Sequence, residues 1–514
     1  MAWHSLTHGT TGLILAYGLT LAAMGITVVV RRGGVVALLL TPIGALPAGL
    51  LGLIVAAMVA AALPAGFLQS AMGMVVLLLA GFGGALVLMR RRPSADAHQR
   101  GAVITATTPN AARAAASRPA DTRALTIGGV EIPLLDETKH FKLIGTTGSG
   151  KSTAIRELLA GALIRGDRAI IADPDAGYLT RFLRAERDVI LNPFDARSVT
   201  WDLFAEIEKP YDVEQLARSL IPDSGDPSSR EWRGYARTFL SGLMEYCKLE
   251  DKPLAELWRL TAVAEPEELK DILAATPAQP FLAEGAAKMF HSIRSTASPA
   301  LAALRYIRET GSQGLSVRRW VREGRGVLFL PYEAAQIAAL RDLISCWMRL
   351  AIFEAMTGGE VDKRLWFVVD ELDALGPIDG LKDALARLRK FGGRCVLGFQ
   401  SIAQVRGTYG DSEAQTIVEN CGNTLILRCS ASEHGGTAEF ASRLLGQREI
   451  VRTEVSHTRR RGHLLAESAT TSRQHVTEDA VMASEVEQLP DLAGFLKVAS
   501  RPEWRRVTLA RGIA

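Results

Sequence analysis

The sequence predicts an α/β fold: a mostly parallel sheet with an inserted all-α domain, carried behind an N-terminal helical anchor. Three observations predict it. Short buried-strand runs alternate with amphipathic helical stretches through most of the chain after about residue 125. Between about 202 and 315 the strand signal stops and only helical periodicity continues. Residues 1–89 hold no Asp, Glu or Lys, and Arg31 and Arg32 are their only formal charges. At 514 residues the chain is too long for one core, and about 150 residues per domain predicts two to four units. With 48% hydrophobic and 22% charged residues, intrinsic disorder is excluded for the whole chain. A net charge of +4 is too small to argue nucleic-acid binding by itself. Five cysteines without a CxxC pair, mostly in apolar runs, read as reduced buried thiols and exclude a disulfide scaffold.

Residues 1–92 are the expected anchor. Apolar stretches run over about 11–30, 37–62 and 67–89. At ~1.5 Å per residue, each can cross a ~30 Å hydrocarbon layer. The first ends at Arg31-Arg32 and the third at Arg90-Arg91-Arg92, and both basic clusters favour the cytoplasm. Three spans with the N-terminus outside and the body inside satisfy this pattern. A cleaved signal peptide with two spans, or two spans with both ends inside, are the alternatives. The N-terminal decapeptide lacks the positive region that a signal peptide needs. Residues 93–124, rich in Ala, Thr, Pro and Arg, read as a flexible linker whose basic start lies near anionic lipid.

The soluble body opens on its strongest chemical signal, HFKLIGTTGSGKST at 140–153. Gly145, Thr146, Thr147, Gly148, Ser149, Gly150, Lys151 and Ser152 fit GxxxxGK[ST], with Thr153 following. A short apolar strand precedes the motif and a helix follows it, as a phosphate-binding loop requires. The glycines let backbone N–H groups curl around phosphate oxygens, and the helix N-terminus adds partial positive charge. Lys151 would reach the β- and γ-phosphates of ATP, and Ser152 would offer an oxygen to Mg²⁺. The bland reading is a Gly-rich turn before an ordinary helix.

A nucleotide hydrolase needs an acidic strand end, and LWFVVDEL (365–372) supplies one. Asp370 would support the metal and Glu371 would polarise the attacking water. An acidic helix cap is the bland alternative. The next strand, RCVLGFQS (394–401), ends at Gln400, on the edge where open α/β sheets bind ligands. Gln400 is read as a γ-phosphate sensor, or else as a cap for the next helix. Arg387, Arg389 and Lys390 form either a surface cationic face or an arginine finger for a neighbouring subunit. No LSGGQ-like signature, HExxH, CxxC…CxxC or Gly-x-Ser-x-Gly elbow occurs, so Mg²⁺–nucleotide chemistry is the one catalytic constellation that assembles.

Further strands are expected at 168–173, 188–191, 326–332, 424–429 and 495–500. Residues 125–201 and 316–514 thus form the expected nucleotide-binding domain, and 202–315 the all-α domain. The polar stretch 448–475, basic at Arg459-Arg460-Arg461, reads as a strand and then an exposed loop. Its charge run is a solvated face by default, with a DNA or lipid contact as the alternative.

Together these pieces resemble the TraD/TrwB-like type IV secretion coupling proteins, which are related to the FtsK/HerA motors. The resemblance is carried by 143–159, 163–182, DVILNPFDARSVTWD (188–202), 365–372, RKFGGRCVLGFQS (389–401) and 441–456. It implies a RecA-like P-loop NTPase, anchored in the bacterial inner membrane by multiple passes, with its soluble part cytoplasmic and assembled as a homo-hexamer. ATP hydrolysis would drive single- or double-stranded DNA, or a relaxase–DNA complex, toward a type IV secretion channel in conjugation. Relaxosome proteins, channel components and membrane lipid are the implied partners. The all-α insertion would receive substrate. Arg389 falls where the family places its intersubunit arginine, and Gln400 where it places its phosphate-sensing glutamine. The family commonly shows two spans, against three apolar stretches here. Export of protein effectors is the alternative function.

Overall fold

The computed structural model describes residues 10–30, 35–61, 67–88, 97–106, 124–223, 227–308, 314–357, 363–432, 435–459 and 467–510. The chain divides into two units, Met1–Asp96 with Val455–Thr471, and Ala97–Glu454 with Ser472–Ala514.

In the first unit, three apolar helices pack together: α1 (Thr10–Val30), α2 (Val35–Ala61) and α3 (Phe67–Leu88). Small residues set their closeness. A Cβ at Gly81 would lie 2.7 Å from the Thr20 carbonyl, and one at Gly52 would lie 2.9 Å from Ala80. Such small-residue contacts let helix backbones approach where no water drives them together. Pro42 cannot donate to the Leu38 carbonyl, and Thr41 Oγ1 bonds that oxygen instead at 2.7 Å. Large apolar side chains such as Ile14, Leu39, Met58 and Val87 point outward, each about 70% exposed. Residues 38–59 of α2 are long and apolar enough to cross a membrane. The apolar parts of α1 and α3, 13–29 and 71–87, are shorter.

In chain order the strands are β1 (Ala97–Gly101), β2 (Ile104–Ala106), β3 (Leu125–Ile127), β4 (Val130–Ile132), β5 (Phe141–Ile144), β6 (Arg168–Pro174), β7 (Val189–Ile190) and β8 (Val327–Tyr332). They continue with β9 (Leu365–Val369), β10 (Gly393–Phe399), β11 (Asn423–Ile426), β12 (Gln447–Arg459), β13 (Glu467–Asp479), β14 (Ala493–Lys497) and β15 (Trp504–Thr508). Ten of them form one sheet in the order β2-β15-β14-β11-β5-β10-β9-β6-β8-β7. From β11 to β7 every pairing is parallel, whereas β14 joins β11 and β15 antiparallel. The central strands are buried on both faces, which explains their unbroken apolar runs. In β9, Leu365, Phe367 and Val369 enter one apolar layer, and Trp366 and Val368 enter the other.

The helices of the second unit include α4 (Lys151–Ile164), α5 (Asp212–Leu220), α6 (Pro227–Leu249), α7 (Leu254–Ala262), α8 (Pro266–Ile272), α9 (Ala287–Leu301), α10 (Val317–Glu323), α11 (Leu381–Leu388) and α12 (Ile402–Tyr409). Between Asp202 and Gly314 the described residues include helices and no strand. The apolar faces of α5 to α9 continue the layer on one side of the sheet. Their entry and exit are stapled. Trp201 bridges Leu315, and Glu206 accepts from Trp201 Nε1 at 2.8 Å, Val317 N at 2.6 Å, Ser316 Oγ at 3.0 Å and Arg318 N at 3.1 Å. Four donors on one buried carboxylate stabilise the start of α10.

Two expectations need correction, and one strand was not expected. Within the expected linker, Ala97–Gly101 and Ile104–Ala106 are strands that pair with β12 and β15. Short polar strands at a sheet edge carry no apolar alternation, so the sequence hides them. In the stretch 448–475, expected as a strand and then a loop, residues 467–475 are strand as well: 448–459 and 467–475 belong to β12 and β13, two 13-residue strands of a small sheet with β1. Arg459 closes β12, and Arg460 and Arg461 lie outside the described residues. Finally, β15 was hidden by its charges, because Arg505 and Arg506 interrupt the run.

Candidate nucleotide site

Strand β5 runs into the glycine loop, and α4 begins at Lys151. Gly150 caps α4 with φ +119°, a left-handed conformation, and a Cβ there would press on Leu492. The loop is braced from neighbouring strands. Thr146 N donates to the Arg428 carbonyl at 2.8 Å, and Leu492 N donates to the Ser149 carbonyl at 2.9 Å. Thr147 and Gly148 are exposed at the loop's crest, and Thr153 is half-buried one residue beyond Ser152. Lys151 folds back, donating to the Gly145 carbonyl at 2.6 Å and the Thr146 carbonyl at 3.3 Å. Burial lowers its pKa, and the nearby Asp370 and Glu371 charges oppose that shift.

Between β5 and β9 stands a single strand, β10. That order fixes the geometry. Asp370 follows β9 and accepts from Ser152 Oγ at 2.6 Å, although 218 residues separate them. Glu371, half-buried, accepts from Gln400 Nε2 at 2.8 Å, and Gln400 Oε1 accepts from Thr147 Oγ1 at 2.8 Å. Gln400 therefore bridges the crest of the loop to the second acid. Burial raises the Glu371 pKa, with the Gln400 hydrogen bond opposing it. Gly398 makes this approach possible: a Cβ there would collide with the Asp370 carbonyl, and Leu372 N donates to the Gly398 carbonyl at 2.9 Å.

Sequence reasoning missed Tyr178 and Asp173. The Tyr178 hydroxyl donates to Asp370 Oδ2 at 2.8 Å, beside the Ser152 bond to the same oxygen. Asp173, at the end of β6, accepts from Tyr178 N at 2.9 Å and Leu179 N at 2.6 Å, which fixes the ring's position. Burial pushes Asp173 up to about 6 and raises Tyr178 well above its ordinary value. The signal was present in DPDAGY, a turn after a strand end, where Asp175 and Ala176 both take positive φ.

Arg389 does not join this cluster. It is exposed in a 3₁₀ turn (Arg389–Phe391) that leads into the amino end of β10, and it lies near His140, which precedes β5. Both positions are on the sheet's opposite edge from the loop and the acids. Lys390 is exposed beside it, and exposed Arg387 borders a cleft with α5. All five cysteines are buried and free.

Asp370 Oδ1 is buried and has no partner. Among the described residues, no group of three or more His, Cys, Asp or Glu is arranged to hold a metal. Ser152 Oγ and Asp370 therefore fit a hard cation that takes its remaining oxygens from phosphate and water, as Mg²⁺ does.

A glycine loop between strand and helix, with an acidic strand end one strand away, defines a P-loop nucleotide-binding α/β protein. Comparison with known proteins narrows the class. The family model described as the type IV secretion-system coupling protein DNA-binding domain matches residues 124–510. Coupling protein TraD of Escherichia coli K12 is 28% identical over 379 residues, covering 72% of this chain and 52% of TraD. A type IV secretion system-coupling protein VirD4 from Bartonella henselae is 34% identical over 101 residues, covering 20% of this chain and 15% of that protein. The chain thus spans about half of TraD. Plasmid coupling protein TrwB, solved with ADP and Mg²⁺, superposes with a TM-score of 0.72 at 31% identity, covering 83% of this chain and 96% of that one. TrwB has also been solved with ADPNP, with a TM-score of 0.70 at 31% identity, covering 80% and 94%. The chain belongs to the type IV secretion coupling protein family.

Proposed function

We propose that this protein is a membrane-anchored, Mg²⁺-dependent ATPase that couples DNA, as a relaxase–DNA complex, to a type IV secretion channel and drives its translocation in conjugation. The observation that carries the reading is the convergence of Ser152, Asp370, Glu371, Gln400 and the glycine loop on one sheet edge. Lys151 leaves its loop carbonyls to neutralise the β- and γ-phosphates, and the loop N–H groups orient them. Ser152 and Asp370 hold Mg²⁺, which supplies charge neutralisation on the phosphate oxygens when bound. Glu371 orients and polarises the attacking water, and Gln400, bonded to both Glu371 and the loop crest, senses the γ-phosphate. Arg389 sits on the opposite edge and serves a neighbouring subunit's nucleotide, in a homo-hexameric ring.

The organisation follows the same reading. Residues 1–92 anchor the chain in the bacterial inner membrane by two or three passes. The outward leucines and inward small residues of α1–α3 suit lipid rather than water. Residues 125–201 and 316–514 bind nucleotide in the cytoplasm, and 202–315 form the all-α domain that receives substrate. Lys151→Thr tests the site. The variant is expected to insert in the membrane, lose hydrolysis by at least about 100-fold and abolish transfer. Normal turnover would remove Lys151 from the mechanism. DNA is expected to stimulate the wild-type ATPase, with binding that weakens steeply as salt rises. Stimulation by a secreted protein alone would point to effector export instead.

A further inference from the structure

The turn that carries the exposed Arg389 is flanked by two hydrogen bonds to a buried ring. His140 is 1% exposed and takes φ 57°, a left-handed conformation uncommon outside glycine. Its imidazole makes two hydrogen bonds of opposite sense. Cys395 N lies 3.1 Å from Nδ1, and a backbone N–H can only donate, so Nδ1 is an acceptor. The ring proton then sits on Nε2, which donates to the Leu385 carbonyl at 2.9 Å.

These two partners bracket the segment that carries Arg389. Leu385 belongs to the last turns of α11, and Cys395 is the third residue of β10. Gly392 turns the chain between them with φ 69°. One neutral imidazole thus clasps both ends of an eleven-residue stretch, with the finger in its middle. The mount is itself fixed. The His140 carbonyl accepts from Asn423 N at 3.0 Å and Asn423 Nδ2 at 3.1 Å, and Asn423 starts β11 on the far side of β5. Arg394 ties the same turn from below, through the Gly392 carbonyl and Glu137 Oε2. By contrast, the Arg389 side chain is exposed, so its direction depends on this backbone frame.

We propose that His140 is a positioning residue for Arg389: it fixes the turn 385–395 against the sheet so that Arg389 is presented at one height to the neighbouring subunit's nucleotide. The proposal rests on the reading that Arg389 acts in trans. It deepens that reading, because one strand then links two sites. His140 immediately precedes β5 at the amino edge, and that strand ends at this subunit's own glycine loop.

The test uses the full-length protein in detergent, with four variants and their mixtures. His140→Ala is expected to lower ATP turnover about 10- to 100-fold, the effect of a roughly 1 Å misplacement, with KM for ATP and affinity for a fluorescent ADP analogue within about twofold. Mixed with Lys151→Thr subunits, which lack their own site but carry an intact finger, His140→Ala is expected to regain turnover. Mixed with Arg389→Ala subunits, it is expected to regain none. If Arg389→Ala recovers with Lys151→Thr but His140→Ala does not, His140 acts within its own subunit and the proposal fails. If neither recovers, the trans reading of Arg389 fails first. His140→Asn, which tolerates the left-handed backbone but cannot span both partners, replaces His140→Ala should that variant fail to assemble, and the same outcomes apply to it.

Discussion

The two edges of the central sheet use charge in opposite ways. At the carboxyl edge, polar groups converge and are left partly unpaired. Asp370 keeps one buried oxygen without a partner, Glu371 is only half-buried, and Lys151 is spent on carbonyls that a phosphate can displace. At the amino edge, buried charges satisfy one another. Arg165 forms a paired contact to Glu137, with both bonds at 2.8 Å, and reaches Asp167. Arg394 bonds Glu137 at 2.9 Å, and Trp366 Nε1 bonds Asp167 at 2.9 Å. One edge is built to receive a ligand, and the other is held by charges that already have their partners. The difference teaches that a buried ion network by itself does not mark chemistry.

Mutations can break that contrast in a graded way. Replacing Arg389 with Ala is expected to cut hydrolysis by about 1,000-fold while nucleotide binding persists, and mixing with Lys151→Thr subunits restores part of the rate. A loss of binding in that variant would place Arg389 in its own subunit's site. Glu371→Gln, at the other edge, is expected to retain ATP but lose roughly 100-fold or more in single-turnover hydrolysis. Glu137→Gln should lower unfolding stability by about 3 kcal/mol, because Arg165 and Arg394 would lose a buried counter-charge. Denaturant titration measures this, and an unchanged midpoint would show that the network is dispensable. Tyr178→Phe removes one of two donors to Asp370 Oδ2, and about a tenfold fall in turnover at limiting Mg²⁺ is expected, relieved by excess metal.

The smallest effect concerns pH. Burial, with Arg389 and Arg394 nearby, lowers His140 to about 4 from its ordinary 6.5. Between those values the unfolded chain binds more protons than the folded one. Stability therefore falls as pH drops from about 6.5 toward 4, by at most about 1.4 kcal/mol per pH unit. Asp173, raised to about 6, works in the opposite direction, since its protonated folded form loses stability as pH rises. The difference in unfolding free energy between wild type and His140→Asn across pH 4 to 7 isolates the histidine. A flat difference would mean that the ring takes up its proton at the same pH in the folded and the unfolded chain.

Much of this was legible in the sequence where local rules and burial agree. The runs FKLI, RAIIAD, LWFVV and CVLGF are buried on both faces, so apolar composition alone located β5, β6, β9 and β10. The glycine loop and the DE pair follow from motif chemistry. Hidden elements were of two kinds. Strands of polar sequence, such as β12 and β13, show no apolar alternation to read. Tertiary partners separated by about 200 residues, such as Tyr178 and Asp370, depend on strand order. The order β5-β10-β9, which sets Gln400 between the loop and Glu371, is a property of the assembled sheet.

Gly398 has a mechanical consequence. With no side chain, β10 lies directly against the carbonyl of Asp370. Two residues on is Gln400. Ser401 then caps α12 by accepting from Ala403 N at 3.2 Å. No slack residue separates the amide that touches the loop from the helix that follows it. Any displacement of that amide would therefore pass through Ser401 into α12, with Gly398 seated against Asp370 as the fixed point behind it.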